Sequence, residues 1–135
     1  MNWSKIVVAG VVGGVVHTLV GYVMHGIIMA NTYVKYPEVF RQEDNSPAVY
    51  WFFIVGVLIG VTACVLFAKT RDAWGDGVGG GATFGFYLGL VVFFLQFYPT
   101  LVIEGFPYYL SWCWGGIDLI GFTILGAVLG AMYKK

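Results

Sequence analysis

Four long apolar runs, over residues 5–29, 47–69, 77–98 and 107–131, are separated by polar stretches such as "NTYVKYPEVFRQEDNS" and "TRDAWGD". Each run comes near the ~20 residues that a helix needs to cross ~30 Å of hydrocarbon. The punctuation between them predicts helix ends. Ser4 is placed to cap the first helix, and Ser46 the second, with Pro47 at its first helical position. Asp76 is placed to cap the third, which stops at Pro99, and the fourth runs from Pro107 to "MYKK". Proline fits a first turn because its missing N–H would be unpaired there. The predicted fold class is all-α: a four-transmembrane-helix bundle forming one integral membrane domain over 1–135, with an outer loop at 30–46. The first run carries a single early lysine, Lys5, and is longer than a signal-peptide core, so it is read as a retained helix.

Composition agrees. The chain is 59% hydrophobic, 19% aromatic and only 10% charged, against about 25% charged in soluble domains. Net charge is zero and no basic run is present, so membrane lipids are expected as surroundings and nucleic acid is not expected as a partner. Cys64 and Cys113 are too few for a disulfide framework or a zinc site, and no metal site is expected. They should differ in depth by roughly 20 Å and act as two buried thiols. Lys5, Lys69, Arg71, Lys134 and Lys135 fall on the side of the termini, and only Lys35 and Arg41 on the other. Lys and Arg favour the cytoplasmic side, which predicts both termini inside.

Glycines four apart occur in every run: Gly10/Gly14, Gly56/Gly60, Gly81/Gly85/Gly89 and Gly126/Gly130. Small residues at this spacing let helix backbones approach closely. "VLIGVT" at 57–62 and "DLIGFT" at 118–123 match at four of six positions. Two helical hairpins of the same orientation would make a parallel repeat, as in some transporters. Aromatic residues gather on the outer side, where rings settle at the headgroup level. Within the outer loop, Tyr33, Tyr36 and Phe40 can share one side of a short interfacial helix and dock on a partner.

Few ionisable groups lie within the runs: His17, His25 and Asp118. Such groups are costly in lipid and are functional candidates. Counting along the helices puts His17 and Asp118 both roughly 20 Å from the inner surface, where they can form a buried polar pair. Such a pair would fix the first helix to the fourth or, in a small proton-coupled transporter or channel, pass protons. Both histidines also have glycine four residues earlier, as Gly13-xxx-His17 and Gly21-xxx-His25. A helical side chain leans over the preceding turn, so glycine there leaves room for a flat macrocycle. This pattern resembles the small-xxx-His motif of pigment-binding helices. It makes a tetrapyrrole (haem or a chlorophyll-type pigment) the candidate cofactor. His25, nearer the outer surface, is the better ligand, because Gly13 is expected to be packed. No nucleophile–base ordering, HExxH or phosphate loop is present, and the chain is not expected to be an enzyme.

The "MNW" start, the glycine-rich first helix and the closing "GFTILGAVLGAMYKK" resemble small, uncharacterised bacterial four-helix integral membrane proteins. That resemblance implies a topology and a bacterial inner-membrane location, and carries no activity. The expectation is a non-enzymatic accessory or assembly subunit, packed against other integral membrane subunits of a larger complex.

Overall fold

A computed structural model describes residues 1–134; Lys135, counted above among the inner-side charges, lies outside the described residues. Helix α1 (Trp3–Gly21) runs without a break into a π-helix over Tyr22–Ile28. The short α2 (Ala30–Tyr33) follows, then α3 (Val49–Thr70), α4 (Gly77–Leu95), the short α5 (Tyr98–Val102) and α6 (Tyr108–Met132). Four segments, Trp3–Ile28, Val49–Ala73, Gly77–Val102 and Tyr108–Met132, are long and apolar enough to cross a membrane.

Several helix ends differ from the sequence reading, for local reasons. Asn2, not Ser4, caps α1: its Oδ1 accepts the Lys5 N–H at 3.1 Å. Ser46 and Pro47 stay outside α3, which opens at Val49 behind an extended Ala48. A residue before proline is driven out of the helical region, and Ser46 has ψ 140°. Pro99 does not stop a helix; it sits in the first turn of α5, after α4 has ended at Leu95. Asp76 holds the cap position of α4, but its carboxylate turns to Arg71 at 3.5 Å rather than to the helix N–H groups.

The spans pair as two antiparallel hairpins, α1 with α3 and α4 with α6. Each is sealed by glycine against backbone. A Cβ added to Gly60 would stand 2.7 Å from Gly14 Cα, and one added to Gly10 would stand 2.5 Å from Val61 Cα. In the other hairpin, a Cβ on Gly126 would meet Gly85 Cα at 2.7 Å, and one on Gly81 would meet Gly130 N at 2.6 Å. The hairpins join through α1 and α6, where Leu125 and Leu129 fill the space over Gly13. The two matching hexapeptides face different neighbours: Gly60 lies on Gly10 and Gly14, whereas Gly121 lies beneath the His17 ring.

Two apolar cores result. Towards the termini, Ile6, Ala9, Cys64, Phe67, Phe84, Phe122, Leu125 and Leu129 converge from all four spans. At the opposite, loop end, Met29, Phe106, Leu110 and Ile117 form a smaller core. Both cysteines are free thiols; Cys64 is buried as expected, but Cys113 is exposed. At the terminal end Arg71, only 6% exposed, lies between the rings of Phe67 and Tyr133 and donates to the Tyr133 carbonyl.

Candidate functional site

The chemistry-bearing groups assemble at the loop end, around His25. The π-helix ends with the Met29 N–H bonded to the Met24 carbonyl at 3.0 Å, five residues back. The chain then turns through α2, which brings Tyr33 over His25. Tyr33 Oη stands 2.5 Å from His25 Nδ1 and accepts the Trp114 indole N–H of α6 at 2.8 Å. Its hydroxyl also reaches Met29 Sδ at 3.7 Å. Phe40 closes the cluster from the loop, with ring centroids 5.0 Å from Tyr33, 5.9 Å from Phe106 and 5.8 Å from Trp114. The Gln42 side chain holds that loop by donating to the Phe40 carbonyl at 2.9 Å.

Tyr33, Tyr36 and Phe40, expected to dock on a partner, are each part-exposed and also make contacts within the chain. They share a side that faces the bundle. Tyr33 and Phe40 pack on Met29, Phe106 and Trp114, and Tyr36 Oη bonds Tyr109 Oη at 3.1 Å. Trp114, Met29 and Gln42 were not singled out by sequence. Trp114 left one signal, since a buried indole N–H usually finds an acceptor.

Burial pushes the Tyr33 phenol up to about 12, against the smaller opposing pull of the Trp114 hydrogen bond. Tyr33 therefore keeps its proton throughout the neutral range. A phenol oxygen can accept two hydrogen bonds and donate one. Two proton arrangements satisfy the cluster. Tyr33 either donates to His25 Nδ1, or accepts from His25 Nδ1–H and turns its own hydrogen to Met29 Sδ.

The expected His17–Asp118 pair is not formed. Asp118 Oδ2 accepts from Gln96 Nε2, at the end of α4, at 2.5 Å. The His17 ring instead packs on Phe122, with centroids 4.8 Å apart, and on Gly121. Asp118, Gly121 and Phe122 share one face of α6 at i, i+3 and i+4, so the His17 ring meets that face about one turn from the carboxylate, which Gln96 takes instead. Thr18 and Thr123 bond carbonyls of their own helices, and Thr100 bonds Ser111. Among the described residues, Arg71 Nε is the one buried side-chain polar atom without a hydrogen-bond partner.

The twin Gly-xxx-His motifs have opposite surroundings. A Cβ on Gly13 would lie 2.6 Å from Leu125 Cδ1 and 3.2 Å from Leu129 Cδ2, so the space beside His17 is filled. No atom lies within 4 Å of a Cβ on Gly21. Only the motif of His25 is open.

No protein-family model matches the chain, and no similar curated protein or solved structure was found.

Proposed function

We propose that the protein is a non-enzymatic accessory or assembly subunit of a larger membrane complex. The observation that carries this reading is the polar accounting within the spans. His17, Asp118, Thr18, Thr123, Thr100 and Ser111 all turn to protein neighbours, which leaves them unavailable to line a solute route. A proton path through His17 and Asp118 loses its support with their separation. The outward side of α4 and the start of α5 provide the lateral surface: Val91, Phe94 and Leu95 lie at helical spacing, Tyr98 follows, and all four are exposed. The proposed setting is a bacterial inner membrane with both termini cytoplasmic, supported by Lys5, Lys69, Arg71 and Lys134 at the terminal end.

The test is tagged expression in the native membrane, extraction in mild detergent and mass spectrometry of the recovered species. A second integral membrane chain should co-purify in stoichiometric amount, and Phe94→Ala with Leu95→Ala should weaken its recovery several-fold. A monodisperse monomer or homodimer as the recovered species would overturn the proposal.

A further inference from the structure

His25 has a second ring nitrogen, and the geometry defines what it can bind. Nδ1 is tied to Tyr33 at 2.5 Å, and Tyr33 is tied in turn to Trp114 at 2.8 Å. The two nitrogen lone pairs of an imidazole diverge widely, so Nε2 faces away from Tyr33. A hydrogen bond at one ring nitrogen sets the tautomer and the orientation of the other, as it does for metal-ligating histidines. The shared tyrosine permits the ligating tautomer without loss. With the proton on Nδ1, Tyr33 accepts from both His25 and Trp114 and gives its own hydrogen to Met29 Sδ at 3.7 Å.

The ligand class follows from the helix surface beside His25. Among the described residues no group of three or more His, Cys, Asp or Glu side chains could hold a bare metal ion. A metal taken by His25 must bring its other ligands with it. The helix surface one turn earlier is open over Gly21, and Tyr22, Val23 and Ile27 beside it are exposed apolar side chains. A flat, apolar-rimmed chelate fits such a surface. His25 also lies on a π-helix, a distortion often found at functional sites. His17 is an internal comparison: it has the same spacing to glycine, but Leu125 and Leu129 occupy the place.

We propose that His25 Nε2 is the axial ligand of a metal tetrapyrrole whose macrocycle lies over Gly21 on the open side of the π-helix. On binding, Nε2 gives its lone pair to the metal. The proton it carries in the other tautomer is replaced by one on Nδ1, held by Tyr33. The proposal goes beyond the accessory-subunit reading and stands without it.

The full chain in detergent micelles is titrated with Fe(III) protoporphyrin IX, and in parallel with the fluorescent Zn(II) protoporphyrin IX. Expected are saturable one-to-one binding and a shifted Soret band. His25→Ala should abolish both, added imidazole should restore the band, and His17→Ala should change neither. Loss of a partner to a ligating histidine commonly weakens metal sites about 10–100-fold, and Tyr33→Phe should fall in that range. A Cβ added at Gly21 meets no protein atom within 4 Å, so Gly21→Leu should keep the fold while filling the site, and should lose binding by at least about tenfold. Equal uptake by wild type and His25→Ala would mean partition into an apolar surface and overturns the proposal. So does undiminished binding by a folded Gly21→Leu variant, or no saturable binding by wild type.

Discussion

A tyrosine hydroxyl accepts two hydrogen bonds and donates one, and Tyr33 spends that capacity on the π-helix, on Met29 just after it and on α6. Its neighbours Phe40 and Trp114 add ring contacts at 5.0 and 6.4 Å. Tyr33→Phe keeps the rings and removes the oxygen. At about 0.5–1.5 kcal/mol for each net hydrogen bond, the loss of the His25 and Trp114 links should cost about 1–2 kcal/mol in detergent unfolding. The difference from wild type should depend on pH in one direction. The folded phenol titrates at about 12 and the unfolded one at about 10. The contribution of the neutral, buried phenol is therefore complete below pH ~10 and lost as pH rises towards ~12. Unfolding curves of wild type and Tyr33→Phe should converge over that window. A gap that stays constant from pH 9 to 12 would overturn this account of the buried phenol, and no gap at all would show that Tyr33 contributes by packing alone.

At the scale of elements, the glycines separate into those that touch backbone and those that touch nothing. Gly60→Ala and Gly126→Ala each drive a Cβ to 2.7 Å from the Cα of a facing glycine. Rigid backbone cannot yield as a flexible side chain can, so each should cost about 1–3 kcal/mol. Gly79 on α4 has no atom within 4 Å of an added Cβ. Gly79→Ala should stabilise by about 0.5–1 kcal/mol through helix propensity. Similar stabilities for all three variants in a reversible unfolding assay would refute the backbone-contact account. The spans and these contact glycines were legible in sequence because both are one-dimensional signals: run length, and small residues four apart. Helix ends were less so, since Asn2 and Ser4 are both capping residue types two positions apart, and Pro99 fits the first turn of a helix as well as the end of one. Spacing singled out Gly21 and His25 together with Gly13 and His17, and could not tell the open glycine from the packed one. The His17–Asp118 pairing failed because counting residues gives depth only to within about a turn, and His17 meets the face of Asp118 at Gly121 and Phe122. Which partner Asp118 takes depends on where Gln96 of α4 arrives.

Across the whole molecule, two glycine-sealed hairpins must behave as one body, joined by the α1–α6 seam, by the Phe67–Phe84 ring pair of the shared core and by the aromatic cluster at the loop end. At the terminal end Arg71, just beyond α3, donates to the Tyr133 carbonyl that ends α6, while Asn2 N–H reaches Tyr133 Oη at 3.5 Å. The guanidinium lies 5.4 Å from the Phe67 ring centroid and 5.9 Å from that of Tyr133, so cation–π attraction adds to the link. Its ion pair with Asp76 adds little, because Asp76 is 86% exposed and screened. A buried guanidinium is not by itself evidence of stability, and Arg71 Nε is unpartnered. The weight falls on the Tyr133 carbonyl, which loses its charged donor in Arg71→Met. Hydrogen bonds to charged groups contribute about 1.5–3 kcal/mol. Because this bond joins one hairpin to the other, its loss should also lower cooperativity. Fluorescence of Trp74, beside the latch, should then change at lower denaturant than that of Trp114 at the loop end, with the other tryptophans replaced by phenylalanine. Coincident transitions at wild-type stability in Arg71→Met would place the coupling of the hairpins in the Gly13–Leu125 seam instead.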